Sequence, residues 1–133
     1  MRSLAVMACG IAMWAAPAMA QQPGPNILQI LDQFMVSNAV ASKCVKPDGD
    51  KLAKFLMNFQ IVIMRVSLDA KKMSTDVTQE QIDNVMADRY ARIDKTVTEI
   101  IGRETCGGPK IKEALRRFDA QAAMDLMGTS KSN

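Results

Sequence analysis

The feature that most constrains this chain is a pair of cysteines that follows an apparent export signal. The first 20 residues carry one charge, Arg2, followed by an apolar run and the small-residue sequence "AMA". This pattern is typical of a secretory signal peptide, so we expect cleavage near Ala20 and a periplasmic or secreted protein. A retained membrane anchor is the alternative, but the run is shorter than the roughly 20 apolar residues that a span needs.

Cleavage would remove Cys9 and leave two cysteines, Cys44 and Cys106. Because exported proteins fold in an oxidising compartment, an even cysteine count predicts a disulfide. The loop of about 60 residues that it closes corresponds to about 4 kcal/mol of chain entropy. A reactive thiol or a metal ligand is the alternative. Against it, the chain has no C-x-x-C and no histidine to serve as a base or to complete a zinc site.

Removing the leader leaves 113 residues, which is enough for one domain with its own core. One basic and no acidic residue leaves with it, so the net charge falls from +3 to about +2. This near balance argues against a nucleic-acid partner, which would require a concentrated basic face. We predict a signal peptide at 1–20, a flexible lead at 21–26, a single helical domain at 27–128 and a polar tail at 129–133.

Apolar residues recur at helical spacing in four segments, and no segment alternates like a strand. Helix 1 is predicted at 27–43, capped by Asn26 and Gln29, and helix 2 follows a turn at 46–50, capped by Asp50 or Asp48. Helix 3 runs from the capping box of Thr78 and Gln81 to Arg103. Helix 4 runs from Pro109 to about 126. Short links favour antiparallel neighbours, so we predict an all-α fold, an antiparallel up-down four-helix bundle with one disulfide. This topology brings the ends of helices 1 and 3 together, where Cys44 and Cys106 lie.

Helix 2 has the broadest apolar face, and we therefore predict that it is the central element of the bundle. Its methionines, Met57 and Met64, are interpreted as core filler, whereas Met124 and Met127 are candidates for an exposed partner surface. Charged residues interrupt this helix, so we expect no stable membrane span after cleavage of the leader.

Three polar residues of helix 2 lead to specific expectations. Asn58 shares a narrow polar stripe with the lysines and arginine of the helix, and we expect that stripe to face solvent. Gln60 and Ser67 point away from the stripe, so we predict a buried polar spot there. It would be either an interhelical hydrogen bond that fixes the helix register or part of a pocket.

The residue inventory leaves little room for catalysis. Without histidine, the commonest general base and metal ligand are missing, and no phosphate-binding loop, haem-attachment motif or nucleophile elbow is present. We therefore predict no catalytic, cofactor-binding or metal-binding residues. Charged residues that lie close together in the sequence are interpreted as structural. The acidic pairs Glu80 with Asp83 and Asp48 with Asp50 are interpreted as capping and solubility features. The helical pairs Asp88–Arg92 and Glu99–Arg103 and the basic run Lys110, Lys112, Arg116 and Arg117 are interpreted as solvated faces.

The segment "VTQEQIDNVMADR" at 77–89 is similar to the Leu-Thr-x-x-Gln element of small periplasmic stress chaperones and metal-stress sensors. Val77 stands where that family has leucine, and the element occurs once here, whereas the family typically has two copies. The resemblance covers about a dozen residues and implies a periplasmic stress function. Thr-x-x-Gln is also a capping box.

Three functions are compatible with these observations. The first is an exported, non-enzymatic protein that binds another protein, such as an inhibitor, an immunity protein or an envelope assembly factor. The second is a small periplasmic stress chaperone that uses exposed apolar surface. The third is a small-ligand carrier, or an enzyme without a recognisable motif, with a pocket between helices 2 and 3 near Gln60.

Overall fold

A computed structural model describes residues 26–128. They form four α-helices and no strand: α1 Ile27–Cys44, α2 Gly49–Met73, α3 Gln79–Glu104 and α4 Pro109–Ala123. The all-α prediction is confirmed for these residues. The predicted signal peptide, the lead before Asn26 and the tail at 129–133 lie outside the described residues.

Each of the first three helices begins at a residue whose side chain caps it. The amide of Gln29 donates to Asn26 Oδ1 over 2.9 Å, and the amide of Asn26 donates to Gln29 Oε1 over 3.2 Å, which is a complete capping box. Thr78 and Gln81 form the second one. In α2 the cap is Asp48, which accepts from the amide of Lys51 at 2.8 Å.

The central helix is α1, so the prediction that the second helix is central is wrong. α1 packs against all three other helices, whereas α2 and α3, although consecutive, meet only slightly. Only two charged side chains, Asp32 and Lys43, interrupt α1, and its buried positions include the small residues Ser37, Ala39 and Ala41. Small side chains let neighbouring helices approach closely on several sides.

Aromatic packing joins α1, α2 and α4 in the larger of two core clusters. All four phenylalanines of the chain take part. The ring centroids of Phe55 and Phe118 are 4.3 Å apart, and Phe34 lies 5.4 Å from Phe55 and 5.7 Å from Phe59. Aromatic pairs at such distances contribute about 0.5–1.5 kcal/mol beyond the area that they bury.

The second core cluster surrounds the disulfide. Cys44 and Cys106 are bonded, with their Cα atoms 5.5 Å apart, as predicted. Both sulfur-bearing side chains pack against a cluster formed by Ala39, Val40, Val97, Ile111 and Ala114. The bond therefore joins the end of α1 to the link between α3 and α4, and it is packed against apolar core residues.

Polar contacts attach α3 to α1 along much of their common length. From the start of α1 to its end, three contacts join the two helices. Asp32 Oδ2 lies 2.8 Å from Arg89 Nη2, Asn38 Nδ2 lies 3.0 Å from the Tyr90 hydroxyl, and Lys43 Nζ lies 2.9 Å from Asp94 Oδ1. Residue numbers that rise together on both helices mean that α1 and α3 run in the same direction.

The link between α3 and α4 combines an unusual backbone conformation with a close approach between residues. Thr105 has φ of 60° and ψ of 176°, a region that non-glycine residues rarely occupy. A Cβ on Gly108 would lie 2.5 Å from the Cβ of Glu104, so that glycine is required by close approach. Gly107 has no such contact. The sharp turn beside the disulfide therefore depends on Thr105 and Gly108.

No described helix combines the length and the apolar composition that a bilayer span requires.

Replacing both Cys44 and Cys106 by alanine should lower the free energy of unfolding by about 4 kcal/mol, because the unfolded chain loses its cross-link. Urea denaturation of the oxidised protein and of the double variant measures the difference. Ser42→Ala, an exposed change in the last turn of the same helix, should stay within about 0.5 kcal/mol. Equal midpoints for the double variant and the oxidised protein would contradict the structural role of the bond.

Candidate partner-binding surface

The outer side of α2 carries an apolar stripe that nothing in residues 26–128 covers. The α2 stripe consists of Met57, Ile61, Met64 and Leu68, spaced by four, three and four residues. Met57, Met64 and Leu68 are 52%, 51% and 56% exposed. The prediction that Met57 and Met64 fill the core is therefore wrong. The stripe is about 16 Å long, at 1.5 Å per residue.

The stripe is exposed because α2 buries a different side. Phe55, Phe59 and Val62 face α1 and α4, and at 3.6 residues per turn the stripe lies on the far side of the helix. α3 packs mainly on α1 and leaves the outer side of α2 open.

The charges beside the α2 stripe are mostly basic. Residues 54–72 contain four basic residues and one acidic residue, Asp69. Asp69 Oδ1 lies 3.6 Å from Arg65 Nε and 3.9 Å from Lys72 Nζ. These pairs are exposed, so they stabilise the helix little and stay available to a partner. The surface thus combines an apolar centre with a positively charged margin.

The prediction that Gln60 and Ser67 form a buried polar spot is wrong. Gln60 is exposed and Ser67 is half-buried, and the Ser67 hydroxyl donates to the Ile63 carbonyl of its own helix at 3.0 Å. Both residues line an open depression of about 330 Å³ between α2 and the start of α3. They therefore form part of an exposed surface, because α2 and α3 meet only slightly at this place.

The buried polar residue of α2 is Asn58, which the sequence pattern assigns to solvent. It is 3% exposed, and its Nδ2 donates to the carbonyls of Gln121 at 2.8 Å and Met124 at 2.9 Å. Those carbonyls lie at the end of α4, where no further helical turn follows, although the Gln121 carbonyl also accepts from the Met124 amide at 3.4 Å. Asn58 therefore fixes the end of α4 against α2, and Met124 follows directly as an exposed residue.

A second apolar surface lies between α1 and α3. It consists of two open depressions, of about 580 and 440 Å³, that share Arg89. We call their union the α1–α3 groove. Its apolar lining comes from the N-terminal half of α1, the C-terminal half of α2 and one side of α3. Sequence reasoning missed this groove because it depends on how α3 is placed on α1.

Among the described residues, the ion pairs of α3 are with other helices: Arg89 and Asp94 pair with α1, and Glu104 pairs with α4. Neither of the predicted pairs Asp88–Arg92 and Glu99–Arg103 comes within ion-pair distance among the described residues, whereas Asp32 of α1 holds Arg89 through two hydrogen bonds. This hydrogen bonding raises the pKa of the Arg89 guanidinium above its usual value. Arg89 is therefore cationic throughout the physiological pH range.

The acidic residues are distributed as caps and single surface groups. Glu80 and Asp83 are exposed in the first turns of α3, and Asp83 accepts a hydrogen bond from Gln79. Residues 26–128 contain no group of three or more carboxylates and cysteines placed to hold a metal ion. The basic run of α4 is partly paired, Lys110 with Glu104 and Arg116 with Glu113.

Comparison with known proteins returns nothing that assigns this chain to a family. No protein-family model matches it, and searches of curated proteins and of solved structures also find no match. Function must therefore be inferred from the exposed surfaces of the molecule.

Replacing Asn58 by alanine should lower the free energy of unfolding by about 2 kcal/mol, because two hydrogen bonds that join the buried amide to the end of α4 are lost. Gln60→Ala is the matched control on the exposed side of the same helix and should change it by less than about 0.5 kcal/mol. Urea denaturation measures both. Equal effects of the two substitutions would show that Asn58 does not fix α4.

Proposed function

We propose that the mature protein is exported to the periplasm and acts there, without catalysis, by binding another protein through the α2 stripe. The observation that carries the proposal is the exposure of Met57, Met64 and Leu68 in line on one side of α2, opposite the side that packs into the core. Scattered single apolar residues on a surface are ordinary, but an aligned row rimmed by charges is typical of an interaction site.

The spacing of the α2 stripe suggests what its partner looks like. Apolar residues separated by four, three and four positions form the seam that one helix offers to another in a coiled coil. The basic margin favours acidic residues beside the apolar row of the partner. The expected partner is therefore a protein with an exposed amphipathic helix and acidic flanks. An inhibited toxin or an envelope assembly component would fit this description.

Export is supported by two independent features. The leader at 1–20 has the pattern of a signal peptide, and the disulfide between Cys44 and Cys106 belongs to an oxidising compartment. The disulfide is equally compatible with an extracellular location.

A stress chaperone is the second candidate function, and the methionines favour it. Five of the seven methionines beyond the leader are exposed, namely Met57, Met64, Met73, Met124 and Met127. Flexible thioether side chains adapt to apolar surfaces of varied shape. The Thr78–Gln81 motif does not add to this case, because the structure accounts for it as a capping box.

Met64→Glu should reduce recovery of a stoichiometric partner from an envelope extract by more than about tenfold, since it places a charge within an apolar contact. The tagged mature protein serves as bait, and quantitative mass spectrometry measures recovery. Met73→Glu is the matched control because Met73 is 89% exposed on the same helix but outside the α2 stripe. It should leave recovery unchanged.

Equal recovery by both variants would contradict the role of the α2 stripe, and recovery of no partner by the unaltered protein would contradict specific binding. A chaperone would instead suppress aggregation of several unrelated denatured proteins at equimolar amounts. Light scattering distinguishes the two functions, because a specific binder leaves such aggregation unaffected.

A further inference from the structure

The α1–α3 groove contains the largest cavity described on the molecule, and its lining is mainly apolar. The 580 Å³ depression extends from Leu28 and Leu31 on α1 across Val66 and Ala70 of α2 to Ile82 and Val85 of α3. Its volume lies within the range of small-molecule sites, which are typically apolar with a few placed polar groups. Leu28 and Val85 are 45% and 62% exposed at its rim.

Positive charge is concentrated at one point of this groove, where its two depressions meet. Arg89 lines both of them. Its Nε and Nη2 donate to Asp32, while its Nη1 donates to no group among residues 26–128. Arg92 lies one helical turn further along the wall of the groove. It forms no ion pair with any residue of 26–128, Asp88 included. Two guanidinium groups therefore face one carboxylate.

The balance of charge favours one monovalent anion at this point. A planar guanidinium matches a carboxylate, and Asp32 already binds one edge of Arg89 in this manner. The free edge of Arg89 and the whole of Arg92 are left for a second carboxylate. The five residues that precede Asn26, "QQPGP", include no large aliphatic or aromatic side chain that could fill the groove.

We propose that the α1–α3 groove binds a single-chain fatty carboxylate. The hydrocarbon tail occupies the apolar depression beside Leu31, Val66 and Ala70, and the carboxylate lies against Arg92 and the free edge of Arg89. A free fatty acid fits better than a membrane surface, because the cations are gathered at one point of a groove and are not spread over a face. This inference is independent of the proposed protein partner and of the α2 stripe.

Displacement of a fluorescent polyene fatty acid from the protein, purified with its disulfide intact, tests the proposal. Palmitate, kept below its micellar concentration, should displace the probe with saturable 1:1 stoichiometry. Hexadecanol, which has the tail but no charge, loses the charge-assisted contacts with both arginines and should bind more than about tenfold more weakly.

Three variants locate the site. Arg92→Gln should weaken palmitate binding about tenfold and leave hexadecanol unaffected. Arg103→Gln, an exposed arginine on the same helix outside the groove, should change neither. Ala70→Phe should abolish binding of both by filling the apolar depression. Circular dichroism identifies any variant that does not fold, and the hexadecanol comparison tests the charge without any substitution.

Several results would overturn the proposal. One is the absence of saturable displacement by palmitate. A second is equal binding of palmitate by the Arg92→Gln and Arg103→Gln variants. A third is displacement only by vesicles of phosphatidylglycerol, which would assign the arginines to a membrane surface.

Discussion

Packing of α1 against all three other helices is the constraint on which the rest of the structure depends. Its small buried residues let α2, α3 and α4 approach it, and the phenylalanine cluster fixes α2 and α4 on one part of its surface. Three polar contacts and the disulfide then hold α3 alongside α1. With α3 fixed there, no described helix covers the outer side of α2.

This arrangement creates both surfaces to which we assign binding. The α2 stripe is exposed because it lies on the side of α2 that faces away from the core, and the α1–α3 groove forms where α3 packs on α1. Asn58 adds a third element, since its two hydrogen bonds hold the end of α4 on α2. Met124, whose carbonyl accepts one of these hydrogen bonds, is thereby held beside α2.

Local features of the fold could be predicted from the sequence. The capping boxes of α1 and α3 and the proline at the start of α4 are local signals, so the helix boundaries agree within a few residues. The disulfide was also predictable, because only one pairing remains after the leader is removed. Helix 4 ends at Ala123, three residues before the predicted end. At this end Asn58 Nδ2 donates a hydrogen bond to the Gln121 carbonyl.

The placement of helices relative to one another could not be predicted in the same way. Nearly every side of α2 is apolar, so the periodicity of its sequence does not show which side packs against a neighbouring helix. For that reason the sequence wrongly predicts that Met57 and Met64 lie in the core. Asn58 and Gln60 are both uncharged amides on one helix, and only the position of α4 decides which is buried. The strained Thr105 likewise carries no sequence signal, because threonine rarely adopts its backbone conformation.

The exposure of the α2 stripe in the isolated protein is the claim on which the proposed function depends. Brief treatment with hydrogen peroxide, followed by mass spectrometry of each methionine, measures it directly, since accessible thioethers oxidise first. Met57 and Met64 should oxidise at rates close to that of Met73, while Met35, which is 3% exposed, should be strongly protected. Protection of Met57 and Met64 equal to that of Met35 would contradict the account.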